Sequence, residues 1–283
     1  MNRYFIIFLI VLFSFQSRGL ADKQWWEQDL FEEQSQSFPF RPMFFDVFKS
    51  WPTFNFVVYY YNDDIADEVI ANIDNVHQKI IDDLGYLFYY NPKHIKIYIY
   101  RTNKEYHQKT GMSQWAGGHS DFREGSIYTY EQKNLMQRVI VHELTHMIFD
   151  SYMGYPRDAN INWLHEGLAV YEEKRYIQGR WNLRELKKLV KQNKVIPIRK
   201  AVNMSLGMES DAQKVSLWYF QMAALVAYMI SLGQEGFQVF CNNLKRYKNI
   251  DEALLMTYPW DFKNLEELER KWKKWLMKQE EFL

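Results

Sequence analysis

His142-Glu143-Leu144-Thr145-His146 stands in an apolar run, and Asn162-Trp163-Leu164-His165-Glu166-Gly167-Leu168-Ala169-Val170-Tyr171 follows it, with Glu166 twenty residues past His146. Residues four apart share one face of a helix, so the two imidazoles of the first stretch can reach a single zinc ion. Glu143, one residue on, then points toward a metal-bound water. Val139, Ile140, Val141, Met147 and Ile148 mark this helix as buried, and buried histidines need partners. A catalytic zinc takes a third protein ligand and keeps one position open for water. The second stretch offers Glu166, with His165 beside it as a competitor. Glu166 shares a face with Ala169 and Val170, and His165 with Leu168 and Ala169, so helical spacing leaves the choice open.

Upstream of these motifs the pattern is that of strands and one long helix. Phe54 to Tyr61 is aromatic and β-branched and ends at Asn62-Asp63-Asp64, which predicts a strand followed by a helix N-cap. Ile65, Val69, Ile73, Val76, Ile80 and Leu84 then form one apolar stripe at three- and four-residue steps, and Gly85 stops the helix. His94 to Tyr100 alternates as a second strand, Asn103 to Thr110 reads as a short helix, and Ser126 to Tyr130 as a further strand. Downstream, helices are expected over Leu135–Ser151, Asn162–Ile177, Leu183–Gln192, Asp211–Leu232, Gly236–Tyr247 and Asp261–Lys278. The fold class expected is therefore α+β: a small mixed sheet with helices, then an all-helical C-terminal half, with the active site in the cleft between them. The divisions are residues 22–53 as an irregular lead-in carrying Pro39, Pro42 and Pro52, residues 54–133 as the α/β part and residues 134–283 as the helical part. No internal repeat or low-complexity segment interrupts them.

Composition narrows the function. Lys+Arg and Asp+Glu are 35 each, which removes the broad basic surface that capture of nucleic acid or anionic membrane requires. Aromatic residues make up 18% of the chain, and a bulky core is the simpler use of them than an apolar ligand groove. Residues 1–21 have the plan of a secretory signal: Arg3, an apolar run from Tyr4 to Phe15, then Gly19-Leu20-Ala21 before Asp22. That run is shorter than the roughly 20 residues that span a bilayer, so cleavage is expected over anchoring, and the protein is expected to be secreted or periplasmic. Cys241 is the only cysteine, so no internal disulfide is available. In its helical run it reads as a buried apolar residue. The last helix carries Leu265, Leu268, Trp272, Trp275 and Leu276 on one side and lysines around the other, which reads as a docking helix before a membrane-surface one.

The paired motifs resemble those of the gluzincin zinc peptidases, and among them the small secreted peptidase MA-like domains. The matching residues are His142-Glu-Leu-Thr-His146 and Trp163-Leu-His-Glu-Gly-Leu-Ala169, preceded by the strand ending Ile95-Lys-Ile-Tyr-Ile-Tyr100. The resemblance runs from about Phe54 to Lys278 and implies a zincin-like fold. It also implies His142, His146 and Glu166 as ligands of one zinc ion per chain, and Glu143 as general base. Tyr219, opening Tyr219-Phe-Gln-Met222, looks like the family's Tyr-x-Gln-Ser segment, with Met222 departing from it, and is the candidate oxyanion donor. The other reading of Tyr219 is a core aromatic. Where some gluzincins orient a ligand histidine with an Asp four residues after the third ligand, this chain has Val170. Asp150 and Glu173 are then the alternative orienting acids. The segment from Trp115 to Tyr130, with its predicted strand, corresponds to the family's edge strand that binds extended substrate backbone. No G-x-M-E-N run precedes the zinc helix, so nothing points to recognition of a free N-terminus.

These readings converge on a zinc metallopeptidase acting on peptide or protein substrates. Zinc lowers the pKa of its bound water toward about 7 and polarises the peptide carbonyl, while Glu143 takes the water proton and returns it to the leaving amine. A catalytically silent binding or assembly module on the same fold is the alternative. It is separated from the enzyme by whether function survives loss of Glu143.

Overall fold

The computed structural model describes residues 47–85, 94–113, 116–154, 161–176, 183–204, 206 and 211–280. The expected signal at residues 1–21 and most of the expected lead-in lie outside the described residues.

The strands are β1 (Lys49–Pro52), β2 (Phe56–Tyr60), β3 (Ile95–Tyr100), β4 (Gly118–Asp121) and β5 (Ser126–Tyr130), joined in the order β1-β2-β3-β5-β4. The inner strands β2, β3 and β5 run parallel, and the two edges are antiparallel to their neighbours. Alternation explains both faces. Phe56, Val58, Ile95, Ile97, Ile99 and Ile127 point into the main core. The stripe of α1 (Asp63–Leu84), with Val69, Ile73, Val76 and Ile80, belongs to the same core. On the other face Tyr59, Tyr98, Tyr128 and His119 stand in cross-strand register and stack with ring centres 4.7–5.0 Å apart. The short helix α2 (Asn103–Thr110) covers that face beside them, with Tyr106 buried against Tyr100 and Tyr130.

Two edges differ from the sequence reading. β1 lies inside the expected irregular lead-in; all four of its residues are exposed, so no alternation announces it. The predicted strand Ser126–Tyr130 forms as β5, but it is an inner strand, and the edge is the polar Gly118-His119-Ser120-Asp121 of β4.

After the sheet the chain is helical. Met136–Ile140 forms a π-helical turn that leads straight into α3 (Val141–Met153), where one continuous helix was expected. Then come α4 (Asn162–Tyr176), α5 (Arg184–Lys191), α6 (Ile198–Ala201), α7 (Ala212–Ser231), α8 (Gln234–Tyr247), α9 (Ile250–Thr257) and α10 (Leu265–Lys278). The short α6 and α9 were not foreseen. α8 closes the end of α1: the Gln234 and Gln238 amides donate to the carbonyls of Asp82, Asp83 and Leu84, which the helix end leaves without partners. α10 docks as expected, with Leu265, Leu268, Trp272 and Leu276 buried and Trp275 packed against the core. Cys241 is buried, and burial pushes its thiol pKa up. No single described helix is long and apolar enough to cross a membrane.

α4 and α7 pack closely, and Gly167 sets how closely. A Cβ at this position would lie 2.9 Å from the Met222 carbonyl oxygen and 3.0 Å from its carbon, inside any relaxed contact with backbone. Gly167→Ala is therefore expected to force the two helices apart and lower stability by about 1–3 kcal/mol, read as a shift of the urea midpoint at constant slope. An unchanged midpoint would show that the gap is softer than the geometry indicates.

Candidate metal centre

α3 and α4 lie side by side and bring the two sequence motifs face to face. His142, Glu143 and His146 come from α3 and Glu166 from α4, all of them buried. Glu166 Oε2 is 3.7 Å from His142 Nε2 and 3.6 Å from His146 Nε2, and one ligand atom from each of the three lies within 4.8 Å of the others. These separations are longer than hydrogen bonds. They are close to the edge of a tetrahedron of ligands about 2.0–2.1 Å from zinc, which is about 3.3 Å. Glu166 Oε2 is buried without a hydrogen bond among the described residues. Two imidazole nitrogens and one carboxylate oxygen, converging with such a lone acceptor, fit a divalent cation of the zinc type.

The neighbouring acids hold the donors in place. Glu173, one of the two acids offered by the sequence, has Oε2 3.6 Å from His142 Nδ1, the nitrogen that faces away from the cluster. Asp150, the other, lies against a different ring: its Oδ1 is 3.3 Å from His165 Nε2. His165, the competitor for third ligand, is outside the trio. Its ring stacks face to face on His146 at 3.6 Å between centroids, and its Nδ1 is 3.5 Å from Glu166 Oε1. It therefore braces both a donor ring and the donor carboxylate.

The electrostatics follow from burial and this alternation of acids and rings. Burial works against charge on His142, but Glu166 and Glu173 overcome it and hold the ring up at about 10. Burial likewise opposes ionisation of Glu166, yet His142 and His165 hold it down at about 2. A cation bound among these groups would take the place of the imidazole proton. Glu143 is pushed by burial up to about 7, against the opposing pull of His142 and Ser120.

Tyr219 comes from α7, the helix packed on α4; it is buried, with its ring edge-on to Trp218 at 5.1 Å. Sequence reading passed over Tyr106 and His119. The Tyr106 hydroxyl is 2.9 Å from His119 Nδ1, on edge strand β4. Burial lowers His119 to about 4, and the charge of Glu143 acts on Tyr106. A histidine in a short polar strand gives no periodic signal, so only the fold reveals this pair.

A two-histidine, one-carboxylate trio on adjacent buried helices beside a small mixed sheet defines the metallopeptidase-like, zincin type of fold. A family model described as the Peptidase MA superfamily matches residues 79–278, and the chain belongs to that superfamily. At the family level it is thus a peptidase-like hydrolase with a possible metal site. The match starts within α1 and ends at the last residue of α10, so β1 and β2 precede it. Among curated proteins no sequence matches the chain.

If Glu173 orients His142, Glu173→Ala should weaken metal affinity about 10–100-fold in competition with a chromophoric chelator. Retained affinity would show that His142 takes its orientation from elsewhere.

Proposed function

We propose that the protein is an exported, single-zinc metallopeptidase of gluzincin type that cleaves extended peptide or protein substrates. The observation that carries this reading is the buried convergence of His142 Nε2, His146 Nε2 and Glu166 Oε2, with Glu143 on the same helix as the two rings. Zinc bound to these three would supply a Lewis acid for the scissile carbonyl and an acidified water.

The chain's own groups then have distinct tasks. The Glu143 carboxyl, raised to about 7, is suited to accept the water proton and deliver it to the leaving nitrogen near neutral pH. Glu173 keeps His142 turned with Nε2 inward, and the Asp150–His165 pair steadies Glu166. Tyr219 is assigned the donor role toward the oxygen on which charge develops, on the strength of its motif and its place on the helix behind Glu166. Strand β4, as the sheet edge beside α3, offers backbone groups to an extended substrate. The apolar run from Tyr4 to Phe15 with Gly19 and Ala21 supports export and cleavage before Asp22.

Elemental analysis of the chain from Asp22 should find about one zinc per molecule, with a marked loss in Glu166→Ala. Metal-free folded protein would end the hydrolase reading. Glu143→Gln should cut peptide turnover roughly 10²–10⁴-fold at unchanged zinc content. Turnover equal to wild type would move the function to a binding module. Tyr219→Phe should lower kcat about 10²–10³-fold with little change in KM, whereas a merely packed ring would leave kcat intact.

A further inference from the structure

The outer face of the sheet carries a ladder of flat rings that stops at the edge where an extended substrate would add. Tyr59 on β2, Tyr98 on β3, Tyr128 on β5 and His119 on β4 stand opposite one another in register. Each ring lies on the next, with centres 4.7, 5.0 and 4.9 Å apart and planes within 15° of parallel. That repeat is the spacing of neighbouring strands, about 4.8 Å, so every strand contributes one rung. β4 is the last strand of the sheet, and among the described residues Tyr128 is the only ring stacked on His119. The other face of the imidazole therefore looks outward, past the edge of β4. Its plane is fixed from the side: the hydroxyl of the fully buried Tyr106 is 2.9 Å from His119 Nδ1.

A strand laid along the free edge of β4 puts the side chain opposite His119 on this same face, one strand spacing further on. We propose that His119 determines specificity: its open face takes an aromatic side chain of the substrate as the next rung of the ladder. The inference rests on the reading of β4 as the substrate edge. The position concerned lies beside the bond to be cut. Gly118 and Ser120 point to the opposite face of β4, where a Cβ on Gly118 would lie 2.5 Å from the Val139 side chain. Ser120, two residues along the strand, meets Glu143, one helical turn past Val139. The substrate residue opposite Ser120 thus faces the base, and the one opposite His119 is its neighbour in sequence. Charge narrows the choice of side chain. Burial keeps the imidazole neutral, lowering it to about 4, so it offers a π face and no cation. Asp121 and Glu124 act on the same ring and would repel an acidic side chain.

The test uses fluorophore-labelled peptides of alternating Ala and Ser that carry one Phe, one cyclohexylalanine, one Glu or no replacement. Binding is read by anisotropy on zinc-loaded Glu143→Gln protein, and kcat/KM on the zinc-loaded wild type, with the cut mapped by mass spectrometry. Phe is expected to raise both affinity and kcat/KM about tenfold over the unreplaced peptide, with the cut at a fixed place within two residues of it. Cyclohexylalanine, as apolar but without a π face, and Glu should give no such gain. The Phe gain should fall to about twofold or less in His119→Ala, fall severalfold in Tyr106→Phe and persist in His119→Phe. Should His119→Ala fail to fold, His119→Val, strand-forming and without a flat ring, takes its place. An equal gain from cyclohexylalanine, a Phe gain unchanged by loss of the His119 ring, or no binding of any peptide would overturn the proposal. Phe-selective binding without turnover would keep it and sink the peptidase reading, whereas turnover indifferent to Phe would do the reverse.

Discussion

Seven ionisable side chains are buried where α3 meets α4, and the cost of removing them from water governs this part of the structure. Isolated, each would cost several kcal/mol or lose its charge. The helices instead set them in alternation. Glu173 faces His142, His142 and His146 face Glu166, Glu166 faces His165, and His165 faces Asp150, each step 3.3–3.7 Å. His142 and His165 thus each lie between two carboxylates, His146 lies between the Glu166 carboxylate and the His165 ring, and the carboxylates of Glu166 and Glu173 lie against rings. The arrangement is compact enough that moving one member disturbs its neighbours, which is the condition for donors held ready before a cation arrives.

The alternation depends on the rotation of α4 about its own axis, and that rotation is fixed from behind. Gly167 brings the backbone of α4 onto α7 at Met222. α7 is in turn tied to the segment that precedes it: Gln221 exchanges hydrogen bonds with the Ile196 backbone, and the Trp218 indole donates to the Ala201 carbonyl. A residue adjacent to Glu166 in sequence serves it by having no side chain. Glu166 and His165 both face α3 in this rotation, Glu166 toward His142 and His146 and His165 stacked on His146 beside Asp150.

This is why spacing could show the histidine pair but not the acid that joins it in the candidate site. His142 and His146 lie on one helix, and the four-residue period decides their direction without reference to anything else. Glu166 and His165 differ by one step on a helix buried nearly all round from Trp163 to Glu173, so no apolar stripe marks an inner face. Family resemblance, not periodicity, singled out Glu166. Elsewhere, long stripes such as that of α1 were legible for the opposite reason: one side is wet. The edges β1 and β4 were not, since an exposed Lys-Ser-Trp-Pro and a polar Gly-His-Ser-Asp carry no two-residue alternation. The π-helical turn at Met136–Ile140 was hidden as well, because one extra residue in a turn leaves an apolar run looking like ordinary helix.

The placement of acids on α4 carries one further implication. Glu166 and Glu173 are seven residues apart, about two turns, and so fall on the same side, toward α3. Glu172 is one step short of Glu173 and is turned by about 100° toward α1 and Asp83. The adjacent pair Glu172-Glu173 therefore serves two environments: one carboxyl lies against a histidine ring, and the other has its pKa raised by burial. Val141 couples them in space, since it lines a small pocket with Glu172 and Asp83 and is followed at once by His142. The candidate metal centre and the pocket behind it thus share α3 and α4, with adjacent residues of each helix turned to different sides.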